Sequence, residues 1–365
     1  MFKNTYKNKN VLVTGHTGFK GSWLTTWLIK LGANVTGLSI GIPTSPSMFE
    51  EINLTNKIND IRLDVKDLDS VKKVINDCKP DFIFHLAAQA IVSKSYSDPV
   101  DTVTTNVIGT MNILESLRFY DNSCTVIMIT SDKCYDNVEW IWGYKESDHM
   151  GGKDVYSGSK GAAELIIKSY VNSFFKNNHP VKIATGRAGN VIGGGDWASD
   201  RIIVDCVKAW STEKKLEIRS PEATRPWQHV MEPLSGYLTL GEKLYNNSNL
   251  HGEAFNFGPR SEQNQTVVEL IKDLSQNSNF KTKEFEITDN IKFHEASLLK
   301  LNCDKALAFL KWDSTLYYSD TINLVSKWYD QFYNFNNDKN LYDFTLNQIS
   351  KYESIALEKN KSWTK

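Results

Sequence analysis

Ser131, Asp132 and Lys133 follow one another at the end of the apolar run Thr125-Val126-Ile127-Met128-Ile129-Thr130. That run is rich in β-branched residues and predicts a buried parallel strand. Open α/β sheets bind ligands beyond the carboxyl ends of their strands. A hydroxyl, a carboxyl and an amine emerging there offer more acids and bases than a plain dehydrogenase needs. Further on, Tyr156 and Lys160 stand four apart on a predicted helix and so share a face. An ammonium beside a phenol favours the phenolate. Tyr156 is thereby a candidate base toward a substrate hydroxyl, and Ser131 can hydrogen-bond the same hydroxyl.

A second constellation lies near the start, in Thr14-Gly15-His16-Thr17-Gly18-Phe19-Lys20-Gly21, between the first predicted strand and the first predicted helix. Its glycines allow a tight turn and a close backbone approach. A helix N-terminus offers free N–H groups and a positive partial charge to a pyrophosphate. Dinucleotide binding is expected, with Gly15, Thr17, Gly18, Phe19, Lys20 and Gly21 around the cofactor. The acidic residue expected about twenty positions on, to hold the adenosine ribose, is missing. The second strand ends Leu38-Ser39-Ile40-Gly41. Ser39 offers one neutral hydrogen bond where a carboxylate would offer charge-assisted ones worth ~1.5–3 kcal/mol each. A looser grip on the cofactor follows. No cation stands just after the strand to meet a 2′-phosphate.

The elements that must position these groups alternate along the chain. Strands are predicted over 10–14, 34–38, 61–63, 81–86, 126–130 and 181–186, and helices over 19–31, 68–78, 99–120 and 155–176. Such alternation predicts an α/β fold, a Rossmann-type doubly wound parallel sheet, over residues 1–189. After Asn190 it breaks down into the loop Gly193-Gly194-Gly195-Asp196-Trp197 and the cluster Thr224-Arg225-Pro226-Trp227-Gln228-His229. Residues 190–365 are expected to form mainly a smaller substrate-binding lobe. Some of its segments, including a strand over 254–257, return to the first domain.

The 365 residues are 41% hydrophobic and 23% charged, within the range of a globular protein. The formal net charge of -1 gives no field to recruit nucleic acid or acidic lipid. No apolar run is long enough to cross a bilayer, and the Lys-rich start lacks the apolar stretch of a signal peptide. Five scattered cysteines without CxxC spacing exclude a disulfide framework and a zinc site; a reduced, cytoplasmic setting is expected. Cys134 and His85 are expected to be buried packing residues.

Together, the GxxGxxG loop and Tyr156-Ser157-Gly158-Ser159-Lys160 resemble the extended short-chain dehydrogenases that act on nucleotide sugars. The resemblance implies NAD as cofactor, with Asp64 and Val65 at the adenine, Leu86, Ala87, Ala88 and Gln89 at the cofactor floor, and Asn106 at a helix bulge. Asp132-Lys133 stands where the dTDP-glucose and GDP-mannose dehydratases carry Asp-Glu. Together with Pro43-Thr44-Ser45-Pro46-Ser47 and Gly193 to Trp197, it resembles the 4,6-dehydratases that act on CDP-glucose. By that resemblance the C4 hydroxyl is oxidised, water leaves across C5 and C6, and the hydride returns to C6. Asp132 is then the acid at C6 and Lys133 the base at C5. Asn190, Arg201 and Arg225 would face the diphosphate or nucleotide, with Trp227, Gln228 and His229 near it, although the two rings would serve a core equally well. The resemblance also implies a homodimer through the helices near 100–120 and 155–176, or a higher homo-oligomer. Two alternatives stay open: a nucleotide-sugar 4-epimerase, which needs Ser131 and Tyr156 alone, and a dinucleotide-binding protein without turnover.

Overall fold

The computed structural model describes residues 1–176, 178–218, 220–288, 298–334 and 340–365. Six strands follow the predicted order: β1 Asn10–Thr14, β2 Asn34–Ser39, β3 Asn59–Arg62, β4 Phe82–His85, β5 Cys124–Ile129 and β6 Val181–Arg187. A seventh, β7, Ala254–Asn256, comes from the C-terminal half and pairs with β6. The sheet runs β7-β6-β5-β4-β1-β2-β3, all parallel. The order reverses between β1 and β4, and the crevice at such a switch point is where this fold binds its ligand.

Side chains alternate between the two faces, as the period of a strand demands. Val11, Val13, Phe82, Phe84 and Ile127 enter a large core shared with the C-terminal half. Leu12, Ile83, Val126 and Met128 enter a second core beneath Leu114 and Ile167. Helix α1, Phe19–Lys30, and helix α2, Leu68–Cys78, stand where the periodicity put them. The strand expected over 61–63 begins two residues earlier and ends one earlier. The single helix expected over 99–120 is Pro99–Val103, a π turn Thr104–Ile108, and α3, Gly109–Leu117. The π turn falls at Asn106, the expected bulge. Its amide holds both backbone groups of Gln89 and no sequence period reports it. Helix α4, Val155–Phe174, carries Tyr156 and Lys160.

Beyond residue 190, α5, Ile202–Ser211, opens at Arg201, and α6, Met231–Asn246, packs back against β5 and β6. Two-residue ladders pair Val191–Ile192 with Gln228–His229 and Thr224–Arg225 with Gln265–Thr266. Among the described residues no helix is long and apolar enough to cross a membrane.

Candidate active site

Ser131 ends the β5 strand region and caps the short turn Asp132–Cys134. Its hydroxyl donates to Asp132 Oδ1 at 2.8 Å and accepts the Lys133 N–H at 3.3 Å. Asp132 is buried and Lys133 half-buried. The carboxylate of Asp132 fills the space beside Gly189, where a Cβ would lie 1.9 Å from Oδ2. Asn190, held at φ +52°, brings its amide to 3.5 Å from the same oxygen. The following 3-10 turn thus keeps all three predicted groups at one strand end.

Tyr156 sits in the first turn of α4, which Asp154 caps by accepting the Ser157 N–H at 2.9 Å. The Ser131 hydroxyl faces the Tyr156 phenol and favours its ionised form. The electrostatics differ from the sequence expectation. Burial, only partly offset by Ser131, pushes the Tyr156 phenol up to about 12. Burial also pushes Lys160 down to about 8. The Lys160 ammonium lies 5.8 Å from the phenol ring centroid. In the protein alone, loss of solvent and the Asp132 charge outweigh the Ser131 hydroxyl and the Arg201 charge.

Below the site lies a buried network that sequence reading missed. Glu164 follows Lys160 by one helical turn. It accepts from Arg187 Nε at 2.7 Å and Nη2 at 2.9 Å, and from the Thr130 hydroxyl. Arg187 Nη1 donates to the Tyr135 hydroxyl at 2.7 Å, which donates to Asn256 Oδ1 at 2.8 Å. Burial opposes the Arg187 charge, and the Glu164 carboxylate overrides it and holds the guanidinium protonated. Thr130 and Tyr135 bracket residues 131–134, so this pair clamps both ends of the catalytic segment. The spacing of Glu164 from Lys160 places it on the Tyr156 face, a signal the sequence did carry.

On the cofactor side, Gly15 adopts φ +72°, and a Cβ there would meet Ala87 N at 2.8 Å. A Cβ on Gly21 would lie 2.1 Å from Gly15 O. Helix α1 begins at Gly18 with no side-chain cap, which leaves its first N–H groups to a ligand. These residues fit a dinucleotide pyrophosphate. Thr17 ties the turn after β2 by donating to Gly41 O at 2.6 Å, and Phe19 packs beside Gly193. Asp64 closes β3 and accepts the Lys66 N–H at 2.9 Å, and Val65 packs on Gly109. Leu86 and Ala88 are half-buried at the crevice. The Gln89 side chain is consumed by Ile91 and Thr102, so it shapes the floor without offering its amide. Lys20 belongs as much to the catalytic cleft. Burial and the Arg201 charge push it down to about 8, against the pull of Asp132.

The substrate residues separate. Arg201, paired with Asp196 at 3.3 Å, lies within electrostatic reach of Tyr156 and Lys20. Asn190 meets Asp132. Arg225 stands on the outer ladder, opposite Gln265. His229 is corrected to a core position. It is fully buried and edge-on to Trp23 at 5.7 Å, its Nδ1 accepts the Met231 N–H, and burial pushes it down to about 3. Trp227 is likewise buried. His85 is a satisfied core histidine between Thr14 and Thr110.

A switch-point crevice with a glycine turn, and a Ser131, Tyr156 and Lys160 cluster facing it, define a short-chain dehydrogenase of the extended type. The model of the GDP-mannose 4,6 dehydratase family matches residues 12–324, and the chain belongs to that family. It is 44% identical over 331 residues to a CDP-glucose 4,6-dehydratase of Salmonella typhimurium, covering 90% of this chain and 92% of the relative. It is 26% identical over 297 residues to a CDP-paratose 2-epimerase of Salmonella typhi, covering 74% of this chain and 84% of the relative. The fold matches a UDP-glucose 4-epimerase of Thermotoga maritima with a TM-score of 0.77 at 22% identity, covering 88% of this chain and 99% of that one. It also matches a dTDP-glucose 4,6-dehydratase of Bacillus anthracis solved with NAD, with a TM-score of 0.73 at 20% identity, covering 88% and 97%.

Proposed function

We propose that the protein catalyses NAD-dependent 4,6-dehydration of a nucleotide hexose, CDP-glucose, to the 4-keto-6-deoxy sugar. The observation that carries this reading is the buried Asp132 carboxyl group, hydrogen-bonded to Ser131 beside Tyr156. A site that only moves a hydride back and forth has no use for it. The name of the 44% identical relative supplies the cytidine nucleotide.

The Gly15–Gly21 turn would hold NAD, which when bound would supply the hydride acceptor. Tyr156 takes the C4 hydroxyl proton while Ser131 orients that hydroxyl. The C4 ketone acidifies the C5 proton, which Lys133 removes. Asp132 protonates the C6 hydroxyl and water leaves; the hydride taken from C4 would then return to C6, and Lys133 would give the proton back to C5. Arg201, and Arg225 farther out, are assigned to the diphosphate, for which guanidinium is the suited partner. Residues 1–189 serve as the cofactor domain and residues 190–365 mainly as the substrate lobe. A homodimer would cover the exposed Val100, Val103 and Ile108 on the helical segment ahead of α3, and Leu165 on α4.

Incubation with NAD and CDP-glucose, followed by product analysis, tests the reading. A 4-keto-6-deoxy product is expected. A C4-inverted hexose with no loss of water would replace dehydration by epimerisation, and binding without any product would leave a cofactor-binding protein.

A further inference from the structure

The carboxylate missing after β2 has a counterpart one strand away. Asp60, on β3, lies 2.8 Å from His16 Nε2, and His16 Nδ1 lies 3.1 Å from Ser39 Oγ. Burial pushes the His16 imidazole below its ordinary value, against the pull of Asp60 and of the Leu38 backbone. That shift favours the neutral ring, with one N–H. A carboxylate only accepts, so that N–H sits on Nε2 and points at Asp60. Nδ1 is then an acceptor, and the Ser39 hydroxyl must give it its one proton. Lone pairs alone remain to Ser39 on its other side, where the nearest donor is the Thr17 N–H at a distant 3.5 Å.

The surroundings are built for this arrangement. Gly37 leaves room for the imidazole, since a Cβ there would lie 2.4 Å from the ring. Phe49 stands edge-on to the ring at 5.2 Å. Arg62 donates to the other Asp60 oxygen at 2.7 Å, so its charge is engaged within the same cluster.

We infer that Asp60, His16 and Ser39 form a relay that fixes Ser39 Oγ as an acceptor for the adenosine ribose 2′-hydroxyl, in place of the missing carboxylate. The inference rests on the NAD reading above. It makes Ser39 a cofactor-specificity residue and His16 and Asp60 its positioning residues. A serine free to turn its proton outward could donate to a 2′-phosphate. This one has no proton to give, so the relay favours a cofactor with a free 2′-hydroxyl.

Calorimetric binding of NAD, its adenosine 2′-deoxy analogue and NADP to the full chain, to Ser39→Ala and to Asp60→Asn tests this. The wild type should prefer NAD over the 2′-deoxy analogue by about 10-fold, one good hydrogen bond. Ser39→Ala should abolish that preference, Asp60→Asn should reduce it severalfold, and both should keep the wild-type affinity for the 2′-deoxy analogue. Equal wild-type affinity for the two would overturn the relay and leave NAD binding standing. So would variants that lose both ligands alike, which would mark a structural role. No binding of NAD by the wild type would remove the cofactor reading and the relay with it.

Discussion

Gly189 and Asp132 share one volume. The Asp132 carboxylate lies where a Gly189 side chain would begin, with Oδ2 only 1.9 Å from the position of a Cβ. The glycine after β6 is therefore part of the acid's seat. Gly189→Ala should displace the carboxylate by an ångström or more while the apolar cores persist. A misplacement of that size costs on the order of 10²-fold in rate. Dehydration should fall by about that factor while NAD affinity holds. An alanine variant as active as the wild type would show that Asp132 tolerates movement and is not the positioned acid.

Lys133 carries a separable step. Tyr156 and Ser131 act at C4, whereas Lys133 is assigned to C5. Lys133→Ala should slow loss of water by about 10²–10⁴-fold, the usual contribution of a general base. Single-turnover absorbance of the reduced cofactor reads the other half. It should appear and persist, because oxidation proceeds and the hydride has no acceptor at C6. Full dehydration in the variant would assign the base elsewhere.

The elements of the large sheet were legible because each is written in one contiguous stretch. Val11 and Val13 point to one core and Leu12 to the other, which a period of two records directly. Ser131, Asp132, Tyr156 and Lys160 were legible because a strand end and a helical spacing place them. What the sequence did not disclose pairs distant elements. His16 carried no assigned role within the glycine turn, yet its partners stand on β2 and β3. Arg187 and Glu164 meet from β6 and α4. The buried state of His229 depends on Trp23, which packs on it from α1, far away in the sequence. Tyr156 was misjudged for the same reason, since the depth of its burial is a property of the assembled site.

The Glu164 and Arg187 pair should matter to stability through its asymmetry. Both side chains are buried and joined by two hydrogen bonds. Glu164→Gln keeps the shape but strands a guanidinium away from water. Breaking a buried pair from one side costs about 3–5 kcal/mol. Urea unfolding should show a loss of that order, with a disproportionate loss of activity because Thr130 and Tyr135 lose their anchor. The double replacement Glu164→Leu with Arg187→Met should recover much of the stability and little of the activity. A single variant as stable as the wild type would remove the clamp from the account of the site.

His85 predicts how the fold responds to acid. Its Nδ1 lies 2.7 Å from Thr14 Oγ1 and its Nε2 3.2 Å from Thr110 Oγ1, inside the sheet. Burial, helped by the Lys160 charge, pushes it from 6.5 down to about 3. The native state therefore keeps this ring neutral where the unfolded chain takes up a proton. Its contribution to stability is fully present above pH 6.5, declines as pH falls below that value, and is exhausted near pH 3. The slope reaches about 1.4 kcal/mol per pH unit for one proton. His229, pushed down to about 3 by burial alone, adds a second proton over the same window. Urea titrations between pH 7.5 and 5 should show stability falling with acid. His85→Asn should be less stable at pH 7.5 yet lose stability less steeply, by one proton. An unchanged slope in that variant would mean that His85 is protonated in the folded protein and that its threonine partners accept from it.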